Sequence, residues 1–139
     1  MTVDAIRARV RSVCASQPFG FTQAQTPFSF ELQPSGAIDE VFRVETDGGS
    51  VIGGFNYLEE RTDLLSIWVA RKYAGDPDAA YQRLLTDASS IRAAVIRDAH
   101  AVSGEYGVPA EGAGLSVQRP GGEFAVLRLT LPVNYETFV

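Results

Sequence analysis

The spacing of apolar residues predicts two amphipathic helices. Thr2 is a favourable N-cap for the first of them. The apolar residues after it recur every three or four positions: Val3, Ile6, Val10, Val13 and Cys14. Asp76 followed by Pro77 favours a second helix start, because the Asp side chain caps free N–H groups and Pro suits the first helical position. We therefore predict one helix over residues 3–16 and a long central helix that begins at Asp76 and stops at Gly104.

Alternation of apolar and polar residues predicts the strands of a sheet. Residues 41–46, 51–58 and 64–72 are typical of three successive strands. The polar segments 47–50 and 59–63 are predicted to join them as turns, which gives an antiparallel meander.

Two further segments have strand character. Residues 28–32 lie between prolines and predict a short edge strand. Residues 115–119 and 124–135 flank a Pro-Gly-Gly segment and predict a closing hairpin. One face of its second strand is predicted to point into the core: Ala125, Leu127, Leu129, Leu131 and Val133.

These elements together predict a single α+β domain over residues 1–139, a common domain size. The expected architecture is an antiparallel or mixed sheet of about five strands with two helices packed on one face, in the order α-β-β-β-α-β-β. Gly53 and Gly54 within the second strand predict a bulge or a close backbone approach.

The third predicted strand is apolar on both faces. Leu65, Ile67 and Val69 line one face, whereas Leu64, Trp68 and Ala70 line the other. Two helices on one side leave the second face to be covered by the phenylalanines of residues 19–32 or by a neighbouring subunit. The pattern therefore suggests assembly.

Candidate chemistry is sparse. Cys14 and His100 are the single cysteine and the single histidine, so the chain lacks the ligands of a zinc site. Cys14 is predicted near a helix C-terminus, where the dipole opposes the thiolate. The glycine pairs of the chain do not match the pattern of a phosphate-binding loop. We expect no enzymatic activity, no cofactor and no metal.

Charge and hydropathy restrict the partners. A net charge of −5 with one lysine disfavours a nucleic-acid surface, since phosphate contacts need clustered Lys and Arg. Apolar stretches are too short to span a bilayer, and the arginines among the first residues are unlike a secretory signal. We expect an intracellular protein without a membrane partner.

The order of these elements resembles that of the tail-terminator proteins of long-tailed bacteriophages. The resemblance spans the chain. It is carried by the arginine-bearing first helix, the strand at 64–70, the helix start at Asp76 and Pro77, and the closing strand at 127–135.

This resemblance implies a hexameric ring in the virion, assembled in the bacterial host cytoplasm. The ring would cap the tail tube, contact the tail-tube protein and the head-completion or neck protein, and let genomic DNA pass through it. Subunit contacts would use strand edges and long loops. On loop position alone, the interface candidates are Phe28, Phe30, Asp47, Gly48, Glu59, Glu60 and Arg61.

Two alternatives stay open. The protein could be another phage head-tail connector or neck component. It could instead be a cofactor-free small-molecule-binding domain, with an aromatic pocket lined by Phe21, Phe55, Tyr57 and Trp68.

Overall fold

The structure is a computed structural model that describes residues 1–24, 39–73, 75–102, 105–118 and 124–138. Two helices and six strands occur within these ranges, so the predicted α+β class is confirmed. In chain order they are α1 (Val3–Ala15), β1 (Thr22–Gln23), β2 (Val41–Phe55), β3 (Leu58–Lys72), α2 (Pro77–Ala101), β4 (Tyr106–Gly107), β5 (Gly114–Gln118) and β6 (Phe124–Phe138).

Both helices begin where the sequence predicts. The Thr2 side chain accepts a hydrogen bond from the Ala5 N–H (3.2 Å), and the Asp76 side chain accepts one from the Ala79 N–H (3.1 Å). These bonds satisfy donors that the first helical turn leaves without a partner. Helix α2 ends at Ala101, and the predicted stop at Gly104 lies outside the described residues.

The sheet is mixed. Its strand order is β1-β2-β3-β6, and β4 and β5 both pair with the remaining edge of β6. Strand β1 is parallel to β2, and the other pairs are antiparallel. Strand β3 pairs with β6 over its whole length, from Leu58 opposite Phe138 to Lys72 opposite Phe124.

The helices pack on one face of this sheet and form the main core with it. Ile6 and Val10 of α1 and Leu84 and Ile91 of α2 are fully buried. They join the inward-facing residues of the central strands, including the leucine face of β6 predicted from its alternation: Leu65, Ile67, Val69, Ala125, Leu127, Leu129, Leu131 and Val133.

The predicted three-strand meander is wrong in its connections. Residues 41–46 and 51–58 are not two strands, because residues 41–55 form the single strand β2. Its hairpin partner β3 starts at Leu58, so the true turn is Asn56–Tyr57. Asn56 has a φ of 57°, a left-handed conformation that asparagine adopts more readily than most residues.

The segment predicted as the first turn is instead a β-bulge. The register shifts between Thr46 and Gly49, and again between Val51 and Gly53. A Cβ atom on Gly49 would collide with the Asp63 side chain and the Thr62 carbonyl, so glycine is required for close approach rather than for chain reversal. The bulge predicted from Gly53 and Gly54 is confirmed.

Three other predictions have different outcomes. Strands β1 and β4 are two residues each, too short to leave a periodic signal. Because they are added while residues 41–55 form one strand instead of two, the described sheet has six strands against the predicted count of about five. The closing hairpin is confirmed by the pairing of β5 with β6. The predicted edge strand at residues 28–32 lies outside the described part of the chain.

The second face of the sheet carries its own apolar cluster, which confirms the two-sided character of β3. Its buried members are Ala24, Val41, Ala70, Phe124 and Val126, and Trp68 packs against them partly exposed. Phe19 and Phe21 do not cover this face, because they belong to the helix-side core. Ala24 is the residue of the 19–24 segment that reaches it.

The helix-side core makes a testable prediction. Leu84 is fully buried and Leu129 is 3% exposed, so truncation of either to alanine leaves a cavity. We expect Leu84→Ala and Leu129→Ala each to lower the free energy of unfolding by about 2–5 kcal/mol. Urea denaturation monitored by circular dichroism measures this change.

Leu115 provides the matched control. It lies directly opposite Leu129 in the register but is 52% exposed. Leu115→Ala should therefore change the stability by much less than Leu129→Ala. Equal losses for the two variants would contradict the assignment of β6 to the core.

Candidate functional site

The end of the sheet formed by the β2–β3 hairpin and the last residues of β6 exposes large apolar side chains. The register places Phe55, Leu58 and Phe138 side by side across three strands, and we call these three residues the apolar row. Phe55 is 79% exposed and Phe138 is 81% exposed. Tyr57 at the turn is also exposed. Clustered exposed aromatics are typical of surfaces that bind another protein.

Two glutamates lie directly behind the apolar row. The next row on the same face joins Gly53, Glu60 and Glu136, and we call Glu60 and Glu136 the acidic pair. Both residues are exposed, and among the described residues neither side chain forms a salt bridge. Like charges directly opposite each other destabilise a sheet, so this pair would gain from a cation supplied by a partner.

Polar contacts on the opposite face fix this end of the sheet. The Tyr135 hydroxyl donates to the buried Asp63 carboxylate at 2.6 Å. Burial and this hydrogen bond raise the pKa of Tyr135 above its ordinary value. The Arg61 guanidinium lies 3.9 Å from Asp63 and 3.5 Å from Glu59. Met1 adds a contact, because its terminal ammonium donates to the Glu136 carbonyl at 3.3 Å.

A second surface feature is an open groove of about 580 Å³ between α1 and α2, which we call the helix groove. Small side chains and a few apolar ones form most of its wall. Its lining consists of Ala8, Arg9, Ser12, Val13, Ser16, Gln17, Pro18, Phe19, Ala94, Arg97 and Asp98.

A hydrogen-bonded network forms one side of the helix groove. Arg9 donates two hydrogen bonds of 2.9 Å to the Asp98 carboxylate, and the Tyr106 hydroxyl donates a third at 2.6 Å. Burial alone would raise the pKa of Asp98, but the bonds from Arg9 and Tyr106 outweigh it and hold that pKa below its usual value. Burial and the bond to Asp98 raise the pKa of Tyr106. The network ties α1, α2 and β4 together.

The interface candidates predicted from loop position do not lie in loops. Asp47 and Gly48 belong to β2, and Glu59, Glu60 and Arg61 belong to β3. They were misplaced because the Asp-Gly-Gly and Glu-Glu-Arg segments look like turns, although long-range pairing holds them in strands. Phe28 and Phe30 lie outside the described residues.

The interface candidates within the described residues differ in their surroundings. Glu60 faces solvent beside the apolar row. Asp47 is engaged within the molecule, because its carboxylate accepts hydrogen bonds from Ser66 and, at 2.7 Å, from Arg128. Arg128 also lies 5.0 Å above the Trp68 ring in a cation–π contact. Ser66 is fully buried in this cluster, so it is closed to a substrate.

The four aromatics predicted to line a small-molecule pocket do not converge. Phe21 lies in the helix-side core, and Trp68 packs on the other face of the sheet. Phe55 and Tyr57 are exposed at the hairpin end. The sequence analysis did not identify Phe138 and Glu136 as surface candidates. Their neighbours across the sheet are set by the β3–β6 register, which the sequence pattern does not define.

The two residues considered for catalysis lie on different helices. Cys14 is fully buried, and desolvation raises the pKa of its thiol to about 12, which opposes thiolate formation. His100 is exposed in the last turn of α2. Among the described residues, no three His, Cys, Asp or Glu side chains are placed to hold a metal ion. No described helix is long and apolar enough to cross a membrane.

Comparison with known proteins does not place the chain in a family. No protein-family model matches it, and no curated protein matches it. Function is therefore inferred from the surfaces described above.

The Asp98 network makes a pH-dependent prediction. Because the pKa of Asp98 is lower in the folded than in the unfolded state, its stabilisation is present above the unfolded pKa of about 4 and is lost as the pH falls through the folded pKa. We expect Asp98→Asn to lower the free energy of unfolding by about 1–3 kcal/mol at pH 7 and by less in acid. Denaturant titrations at several pH values measure the difference.

A matched control removes one donor and keeps the carboxylate. Tyr106→Phe should destabilise the protein but preserve most of the pH-dependence, because Arg9 still contacts Asp98. A stability difference between wild type and Asp98→Asn that stays constant from neutral pH to acid would show that Asp98 is not held as the described contacts require.

Proposed function

We propose that the protein is a structural component of a phage virion that acts as a tail terminator. It would assemble into a hexameric ring on the tail tube, stop tube growth, and present a surface to the head-completion or neck protein. Genomic DNA would pass through the ring without being bound. This proposal combines the resemblance in element order with the helix-and-sheet architecture described above.

The observation that carries the proposal is the exposure of the apolar row. Phe55 and Phe138 expose about four-fifths of their surface on a part of the sheet that backbone pairing and the Asp63–Tyr135 contact hold in place. Large aromatics held on ordered strands are suited to binding, because little conformational entropy is lost when a partner covers them. A subunit of a protein assembly needs such a surface.

The two alternative functions have less support. A small-molecule site needs convergent apolar and polar groups, whereas the predicted aromatic lining is divided among the core, the outer sheet face and the hairpin end. Another connector or neck role would use the same exposed surface. A connector would bind a partner other than the tail tube. A tube-binding test therefore distinguishes the terminator role from another connector role.

Tube polymerisation with the cognate tail-tube subunit provides that test. We expect added protein to bind tube ends and to limit tube length, as measured by negative-stain electron microscopy. Replacing the exposed aromatics by serine (Phe55→Ser with Phe138→Ser) should weaken capping at least tenfold, because hot-spot aromatics contribute about 2 kcal/mol or more.

Leu115→Ser is the matched control, since Leu115 is exposed but lies on β5, away from the apolar row. It should cap tubes like the wild-type protein. Tubes that grow without limit and have bare ends at saturating wild-type protein would refute the terminator role and favour another connector role.

A further inference from the structure

We infer that the apolar row and the acidic pair of one copy dock into the helix groove of the next copy. This inference rests on the proposed function, because a ring requires a repeated contact between neighbouring copies. It commits to one occupant of the apolar row, a second copy of this chain. Three properties of the described residues support it: the shape of the groove, its charge, and the placement of the two surfaces.

The helix groove is shaped to accept bulky side chains. Its walls include the small residues Ala8, Ser12 and Ala94, which leave open space between the helices. Its volume of about 580 Å³ lies within the roughly 300–1,000 Å³ range of clefts that accept small ligands. Phe19 and Pro18 provide apolar contact surface at one end. The exposed aromatic side chains of Phe55 and Phe138 are bulky groups that such a cleft could accept.

The charges of the two surfaces are complementary. Arg97 lines the groove, is exposed, and forms no salt bridge with any described residue. Arg9 adds a second cation, whose own partner is Asp98. Glu60 and Glu136 repel each other beside the apolar row. Docking would place this acidic pair near Arg97 and relieve the repulsion.

The placement of the two surfaces favours a chain of contacts over a closed pair. The groove lies in the helical layer, which covers one face of the sheet, whereas the side chains of Leu58 and Glu60 point to the other face. Contact between unlike surfaces leaves each docked copy with one surface still free. Such heterologous contacts propagate and close into a ring when the rotation permits.

Cross-linking tests the contact directly. A variant carries one new cysteine beside the apolar row (Tyr57→Cys) and one in the groove (Ser12→Cys), and it is treated with a short bis-maleimide at ~1 mM protein. At this concentration a contact with a dissociation constant near 1 mM is substantially populated. The native Cys14 is buried and should not react. We expect a ladder of dimers, trimers and larger species on a denaturing gel.

The control keeps Tyr57→Cys but moves the second cysteine to Ser89. This residue is exposed on the same helix as Ala94 and Arg97 but does not line the groove. The Ser89→Cys combination should give at least tenfold less of the species above dimer. Equal ladders for the two combinations, or no ladder from the groove combination, would overturn the inference.

Charge reversal gives a second, independent readout. Glu60→Lys and Arg97→Glu should each reduce the ladder about two- to fivefold, as expected for an exposed ion pair. The two substitutions together should restore it, because the pair is re-formed with opposite signs. Failure of the double variant to recover would show that these charges do not meet.

The inference and the proposed function fail in different ways. If the groove combination forms a ladder while wild-type protein leaves tube ends bare, the contact stands and the terminator role is wrong. If wild-type protein caps tubes but the groove combination gives no ladder, the terminator role stands and this contact is wrong.

Discussion

The antiparallel pairing of β3 with β6 organises the centre of the sheet and both of its faces. Both strands have 15 residues and pair from end to end. Their inward-facing side chains form the part of the core on which α2 packs, whereas α1 packs on β2 and against α2. The same pairing continues to Leu58 and Phe138, so it also places exposed aromatics at the end of the sheet. One register thus determines both the core and the candidate binding surface.

Charged contacts set how the helices lie on this sheet. Arg71 of β3 donates hydrogen bonds of 2.6 and 2.9 Å to the buried Asp87 of α2. Arg9 joins α1 to α2 through Asp98. Removing one member of the largely buried Arg71–Asp87 pair would leave an uncompensated charge, so this contact holds α2 to β3. The helix groove lies open between α1 and α2, lined by Arg9, Asp98 and Arg97.

The exposed end of the sheet combines large aromatics with two unpaired glutamates among the described residues. An isolated domain gains nothing from holding Phe55 and Phe138 in water beside two repelling glutamates, because burial of such side chains and pairing of such charges are both favourable. In a subunit of an assembly, these aromatic and acidic side chains would stay exposed until a partner covers them. The apolar row, the acidic pair and the helix groove are the features on which the proposed role rests, in which the chain joins copies of itself and ends a larger polymer.

Elements with strong local signals could be located from the amino-acid pattern alone. Caps and periodic apolar stripes located both helices, and alternation identified the core face of β6, because these patterns reflect contacts within a few residues. Tertiary structure decided the connections and the surfaces. The Asp-Gly-Gly segment became a bulge because β3 stays paired with β2 on both sides of it, and Gly49 fits closely against Asp63. The apolar row joins Phe55 to Phe138, residues far apart in sequence, so it exists only once the register is fixed.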